Sequence, residues 1–155
     1  AFEYAKEKGI PRTAHAGEAR GADSVWETLE HFSAQRLGHG VRSIEDDRLL
    51  DTLKKKNIHL EVCPTSNIQT AIYKNYKEHP IDALFKKGIS VGINTDGRTV
   101  SDTTLAQEYE HLHQNFGWTK DHFMRCNLSA IEHAFTSSDI KTMLKEQIIK
   151  GYSIN

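Results

Sequence analysis

The sequence predicts an α/β fold, read as the C-terminal half of a TIM-type (β/α)8 barrel: about four βα units followed by terminal helices. Three observations carry this. Short apolar runs with strand character alternate with amphipathic helical patterns. The runs end in polar motifs at βα-unit spacing: 24 residues separate His15 from His39, 24 more reach Cys63, and another 33 reach Asp96. A complete barrel takes about 250 residues, or roughly 31 per unit, so 155 residues hold about half of one.

The elements follow in order. Ala1 to Lys8 reads as the end of a helix stopped by Gly9, so the chain is expected to begin mid-domain, with residues 1–155 forming one partial barrel domain whose N-terminal half is absent. Thr13-Ala14-His15 is the first strand. Ser24 with Glu27 reads as a capping box for a helix striped by Val25, Leu29 and Phe32. Arg36 to His39 is the second strand, and acids at Glu45, Asp46 and Asp47 open a helix with Leu49, Leu50 and Leu53 on its inner face. Ile58 to Val62 alternates as a third strand. Pro80 opens a short helix closed by Gly88, and Ile89 to Ile93 is the fourth strand. Three helices follow, striped by Leu105, Tyr109 and Leu112, by Met124, Leu128 and Ile131, and by Ile140, Met143 and Leu144, with Thr119 and Ser138 as expected caps. An open half-barrel leaves two strand edges and half its interior uncovered, so this segment alone is not expected to be a stable monomer.

Composition narrows the function. Apolar residues make up 37% and charged residues 26%, ordinary for a globular protein. A formal charge of −1 gives no electrostatic case for nucleic acid or an anionic membrane. No apolar run approaches the roughly 20 residues of a membrane span. Cys63 and Cys126 are far apart and form no metal-ligand pair at CxxC spacing, in keeping with a reducing, cytoplasmic setting.

The strand-end motifs hold the inventory of a metal-assisted hydrolase. His15 is followed by small Ala16 and Gly17, which leave space beside the imidazole; Glu18 overhangs the same place and is a candidate proton donor. His39 lies between Gly38 and Gly40, where backbone can approach closely and adopt unusual dihedrals. Alternation from Ile89 puts Ile93 on the helix side and Gly92, Asn94 and Asp96 on the barrel axis, so Asp96 is expected to point inward at the mouth. His59 and Glu61 share an inward face, with Glu61 a candidate hydrogen-bond partner for a site histidine. The other histidines, His31, His79, His111, His113, His122 and His133, are expected to be surface or core residues.

Taken together, His15-Ala16-Gly17-Glu18, Gly38-His39-Gly40, Cys63-Pro64-Thr65-Ser66-Asn67-Ile68-Gln69-Thr70 and Asn94-Thr95-Asp96 resemble the adenosine deaminase family of the amidohydrolase barrels, from about Pro11 to the final helices. The resemblance implies a zinc enzyme of purine salvage that converts adenosine to inosine and ammonia, a hydrolase acting on the C–N bond of a cyclic amidine. His15 and Asp96 would be zinc ligands. Asp96 would also bond the attacking water, Glu18 would protonate purine N1, and His39 would orient the hydroxide. Gly17, Glu18 and Gly97 would border the purine nucleoside. Two departures stand out. The family's His-x-His ligand pair on its first strand is missing from this sequence, so the missing half-barrel is required to complete the site. Gly97 also stands where many members carry a second aspartate that bonds purine N7, which leaves adenine or a modified nucleoside as an alternative substrate and an inert half-barrel module as a third reading. The zinc deaminases of nucleic acids use His-x-Glu with Pro-Cys-x-x-Cys; His59-Leu60-Glu61 has the first spacing, but no Pro-Cys-x-x-Cys accompanies it and Cys63-Pro64 lacks a second cysteine at ligand spacing.

Overall fold

The computed structural model describes residues 1–153; the last two residues of the expected 1–155 domain, Ile154 and Asn155, lie outside them. Four strands, β1 (Thr13–Ala16), β2 (Arg36–His39), β3 (His59–Val62) and β4 (Ser90–Ile93), form one sheet in the order β1-β2-β3-β4, with every neighbouring pair parallel. Parallel neighbours need crossovers, and helices supply them: α2 (Ala22–His31) between β1 and β2, α3 (Asp47–Lys55) between β2 and β3, then α4 (Pro64–Gln69) and α5 (Ile81–Lys86) before β4. The N-terminal α1 (Phe2–Glu7) precedes the sheet. The short α6 (Arg98–Ser101), α7 (Leu105–Phe116), α8 (Lys120–Glu132) and α9 (Ser138–Ser153) follow it.

The register sorts the sheet into two faces. Thr13 pairs with Arg36, Arg36 with His59 and His59 with Ser90; one level up, His15 pairs with Gly38, Gly38 with Glu61 and Glu61 with Gly92. Alternation puts these residues on one polar, glycine-rich face. The opposite face carries Ala14, Ala16, Leu37, Leu60, Val62, Val91 and Ile93. It packs with Val25, Leu29, Leu49, Leu50, Leu53, Ile81 and Leu84 of α2, α3 and α5 into one buried core. One apolar face under helices and one polar face, on which α8 packs only beside β4, correspond to half of a closed barrel's wall.

Glycine matters on the polar face because two imidazoles lie across it. A Cβ on Gly38 would meet the His15 ring at 3.1 Å, and one on Gly92 would meet His59 Nε2 at 2.7 Å. His59 is buried there, bonded through Nδ1 to Ser90 Oγ at 2.8 Å and stacked on His133, the C-cap of α8.

Two local expectations needed correction. Ser24 lies inside α2, whose N-cap is Gly21 with no side-chain cap; its hydroxyl donates to Gly21 O and accepts from Gly17 N–H, so the serine ties helix to loop instead of closing a capping box. Ser138 is the first helical residue of α9, not its cap, while Ser137 Oγ accepts from Ile140 N–H. Thr119 does cap α8, reciprocally with His122. The segment Pro64–Gln69 is a helix with Pro64 at its first position, where the missing N–H costs nothing.

Candidate functional site

The C-terminal ends of the strands meet at one mouth. After β1, the N–H of Gly17 donates to Ser24 Oγ (2.9 Å) and its carbonyl accepts from Arg42 N–H (2.9 Å). Gly17 has φ +65, and a Cβ there would lie 2.6 Å from Val25 Cγ2. This loop can therefore only be built with glycine, and it delivers Glu18 to the mouth half-buried.

His39 and Asp96 reach the same place by backbone exceptions. Strict alternation along β2 assigns His39 to the Leu37 face, but its φ of 63 breaks the alternation. Asp96 is likewise in the left-handed region, with φ 57. Strand parity predicted its inward aim. That argument fails, because β4 ends at Ile93 and a loop carries Asn94, Thr95 and Asp96. Left-handed backbone on non-glycine residues costs about 1–3 kcal/mol each and concentrates where surrounding structure imposes a function.

The outcome is a compact cluster. Ligand-capable atoms of Glu18, His39 and Asp96 all lie within 4.8 Å of one another. His39 Nε2 is 3.5 Å from Glu18 Oε2 and 4.0 Å from Asp96 Oδ2. The His15 ring sits 5.2 Å from the His39 ring. His15 and Asp96 line one open cavity of about 290 Å³ with Gly38, Glu61, Cys63 and Asn94. A cavity of about 540 Å³ between β4, α5, α8 and α9 lies away from these groups.

Burial lowers the His39 imidazole below its ordinary pKa; Glu18 and Asp96 pull the other way, and His15 adds to the lowering. Burial, helped by the Asp96 charge, pushes the Cys63 thiol up to about 12, so it borders the cavity as a neutral thiol and not as a metal-binding thiolate.

Residues whose roles the sequence did not announce hold the cluster. From α4, Ser66 Oγ donates to Asp96 Oδ2 at 2.8 Å, and Asn67 Nδ2 meets His39 Nδ1 at 3.1 Å. Asn67 Oδ1 in turn meets Nε2 of the buried His79 at 3.1 Å. The run Cys63-Pro64-Thr65-Ser66-Asn67 thus opens a supporting helix behind the site; its signal is a proline at a helix start followed by three polar residues. Glu61 lines the cavity, but its carboxylate is held by Arg36 and Thr13, not by a histidine. Gly97 is the N-cap of α6, with only Val100 near its missing Cβ, at 3.8 Å, so its small size is not dictated by packing.

The donor set suits a borderline divalent cation. Imidazole and carboxylate are zinc ligands. The hollow that Gly38 leaves beside His15, which a Cβ would fill, is consistent with a ring held for ligation. His15 and Asp96 border the same space, and Glu18 and His39 lie within 4.8 Å of Asp96. Among the described residues no helix is long and apolar enough to cross a membrane.

Known proteins resemble this chain in sequence and fold. The adenosine deaminase family model matches residues 1–151. Adenosine deaminase 1 of Streptomyces coelicolor is 39% identical over 99% of the chain and 42% of its own length. Adenosine deaminase of Clostridium botulinum is 42% identical over 95% of the chain and 44% of its own length. Among solved structures, adenine deaminase from Arthrobacter aurescens superposes with a TM-score of 0.93 at 25% identity, over 97% of this chain and 46% of that one. A zinc-bound amidohydrolase from a Burkholderia species shares the fold at 22% identity and a TM-score of 0.89, over 99% of this chain and 43% of that one. The chain spans less than half the length of the curated relatives it matches.

Proposed function

This chain belongs to the adenosine deaminase family, and on that premise we propose that its protein hydrolyses the 6-amino group of adenosine, releasing inosine and ammonia. The observation that carries the reading is the convergence of Glu18, His39 and Asp96 within 4.8 Å, beside a cavity that His15 lines. Under this reading His15 and Asp96 hold zinc. Two protein ligands are too few for a catalytic zinc site, which keeps three plus an open position. On this reading the remaining ligands would be supplied by polypeptide outside this sequence. Zinc held there supplies Lewis acidity and lowers the pKa of water to about 7.

The chain's own groups do the rest. Glu18, on the loop that Gly17 shapes, gives a proton to purine N1 and so makes C6 electrophilic. Asp96, steadied by Ser66, accepts a hydrogen bond from the attacking water. His39 stabilises negative charge as water adds to C6. A positioned acid contributes roughly 10²–10⁴-fold. Glu18→Gln in the full-length protein should therefore lower turnover on adenosine by at least about 10²-fold; an unchanged rate removes Glu18 from the reaction.

A second substrate reading has specific support. Gly97 offers no carboxylate for purine N7, and the adenine deaminase from Arthrobacter aurescens is among the similar structures. An Arabidopsis relative described as an N6-methyl-AMP deaminase is 26% identical with a TM-score of 0.84. Rates on adenosine, adenine and AMP, measured side by side, decide among these small-molecule substrates.

A further inference from the structure

We infer that the backbone N–H of Ile81 dictates which ring nitrogen of His39 carries the proton, acting through His79 and Asn67, which makes these two side chains positioning residues for the site. Each link is a short contact in a dry interior: His39 is 2% exposed, Asn67 0% and His79 3%.

The direction of every hydrogen bond follows from the one donor that has no choice. Ile81 N–H, at the start of α5, donates to His79 Nδ1 at 3.2 Å. That nitrogen must be bare. A neutral His79 then carries its proton on Nε2, which donates to Asn67 Oδ1 at 3.1 Å. Turning the Asn67 amide over would set its NH₂ against that N–H, leaving two donors face to face without an acceptor. The amide is therefore fixed, and its Nδ2 donates to His39 Nδ1 at 3.1 Å. His39 Nδ1 is bare in turn, so the proton sits on Nε2, facing Glu18 and Asp96. Unpaired buried donors cost roughly 1–3 kcal/mol each, so the whole chain of bonds holds one polarity. Burial agrees with a neutral relay: it pushes the His79 imidazole down to about 3. Tyr73 packs edge-on against the His79 ring at 5.1 Å and helps close the compartment.

His39 therefore presents a donor, not a lone pair, to the reacting groups. The consequence for catalysis rests on the deaminase reading above; the location of the proton does not. The test separates the two. In full-length protein labelled with ¹⁵N-histidine, long-range ¹H–¹⁵N spectra distinguish protonated from bare ring nitrogens, and the His39 signals are identified by their loss in His39→Gln. The expected pattern is a protonated Nε2 and a bare Nδ1. Asn67→Asp replaces the amide by a carboxylate of the same shape that accepts from both rings, so His39 should gain a proton on Nδ1, and kcat should fall by about 10–100-fold with KM changed less. A proton on His39 Nδ1 in the unmodified protein, or an unaltered His39 pattern in folded Asn67→Asp, overturns the relay. The expected pattern in a protein inactive on every aminopurine would instead refute the deaminase reading and leave the relay standing.

Discussion

Ser66 donates its hydroxyl to Asp96 Oδ2 at 2.8 Å, across the gap between α4 and the loop after β4. The bond matters because Asp96 has no regular structure to hold it: β4 has ended, and its φ of 57 is uncommon for a residue with a side chain. Under the proposed reading Asp96 shares a cation with His15 and needs one carboxylate orientation, which the Ser66 hydroxyl selects.

Ser66→Ala should therefore loosen Asp96 without unfolding α4, since alanine is a good helix former. Removing a hydrogen-bond partner behind a metal ligand typically costs 10–100-fold in metal affinity or activity. We expect zinc affinity of the full-length protein, measured by competition with a chelator, to drop within that range. Affinity within twofold of the parent would remove Asp96 from the ligand set or Ser66 from its support.

Gly38→Ala tests His15 from below. Gly38 is not in the left-handed region, so alanine is allowed by the backbone. The new methyl would sit 3.1 Å from His15 Nδ1, and the ring must move by a few tenths of an ångström. Zinc affinity should fall roughly tenfold or more, while far-ultraviolet circular dichroism stays unchanged. Gly92→Ala is the matched control: its methyl would press on His59 Nε2 at 2.7 Å, away from the cluster, and should lower stability while leaving zinc affinity alone.

These glycines show how much of the molecule is visible in its order of residues. The strands beside His15, His39 and the Ile89 run announce themselves because each couples an apolar run to a turn, and the parallel sheet follows from the helices between them. That Gly38 serves His15 was not visible, since it depends on which residue of β1 pairs with which residue of β2. Parity gave the right neighbourhood for Asp96 by the wrong route, because a strand's period says nothing once the strand has ended. In the sequence His79 carries no signal beyond that of a surface or core histidine. Its contact with Asn67 joins residues 12 apart through a loop with no periodic signal. Ser24 misled because a serine three residues before a glutamate can equally sit inside the first turn of a helix and bond backward, as it does here.

Acid should weaken the fold through two buried imidazoles. Burial holds His79 down to about 3, and burial together with the charges of His133 and Arg36 holds His59 down to about 3, against 6.5 for an exposed ring. Below pH 6.5 the unfolded chain takes up protons on both histidines while the folded chain does not. Their contribution to stability is thus complete above pH 6.5 and is lost as pH falls toward 3, at about 1.4 kcal/mol per pH unit for each ring. Urea midpoints of the full-length protein should decline from pH 7 to pH 5, and His59→Gln should remove about half of the share these two rings contribute to that slope. A midpoint that holds steady across this interval would mean that both rings take up protons in the folded state, and the dry packing of His59 against His133 and Ser90 would then have to be wrong.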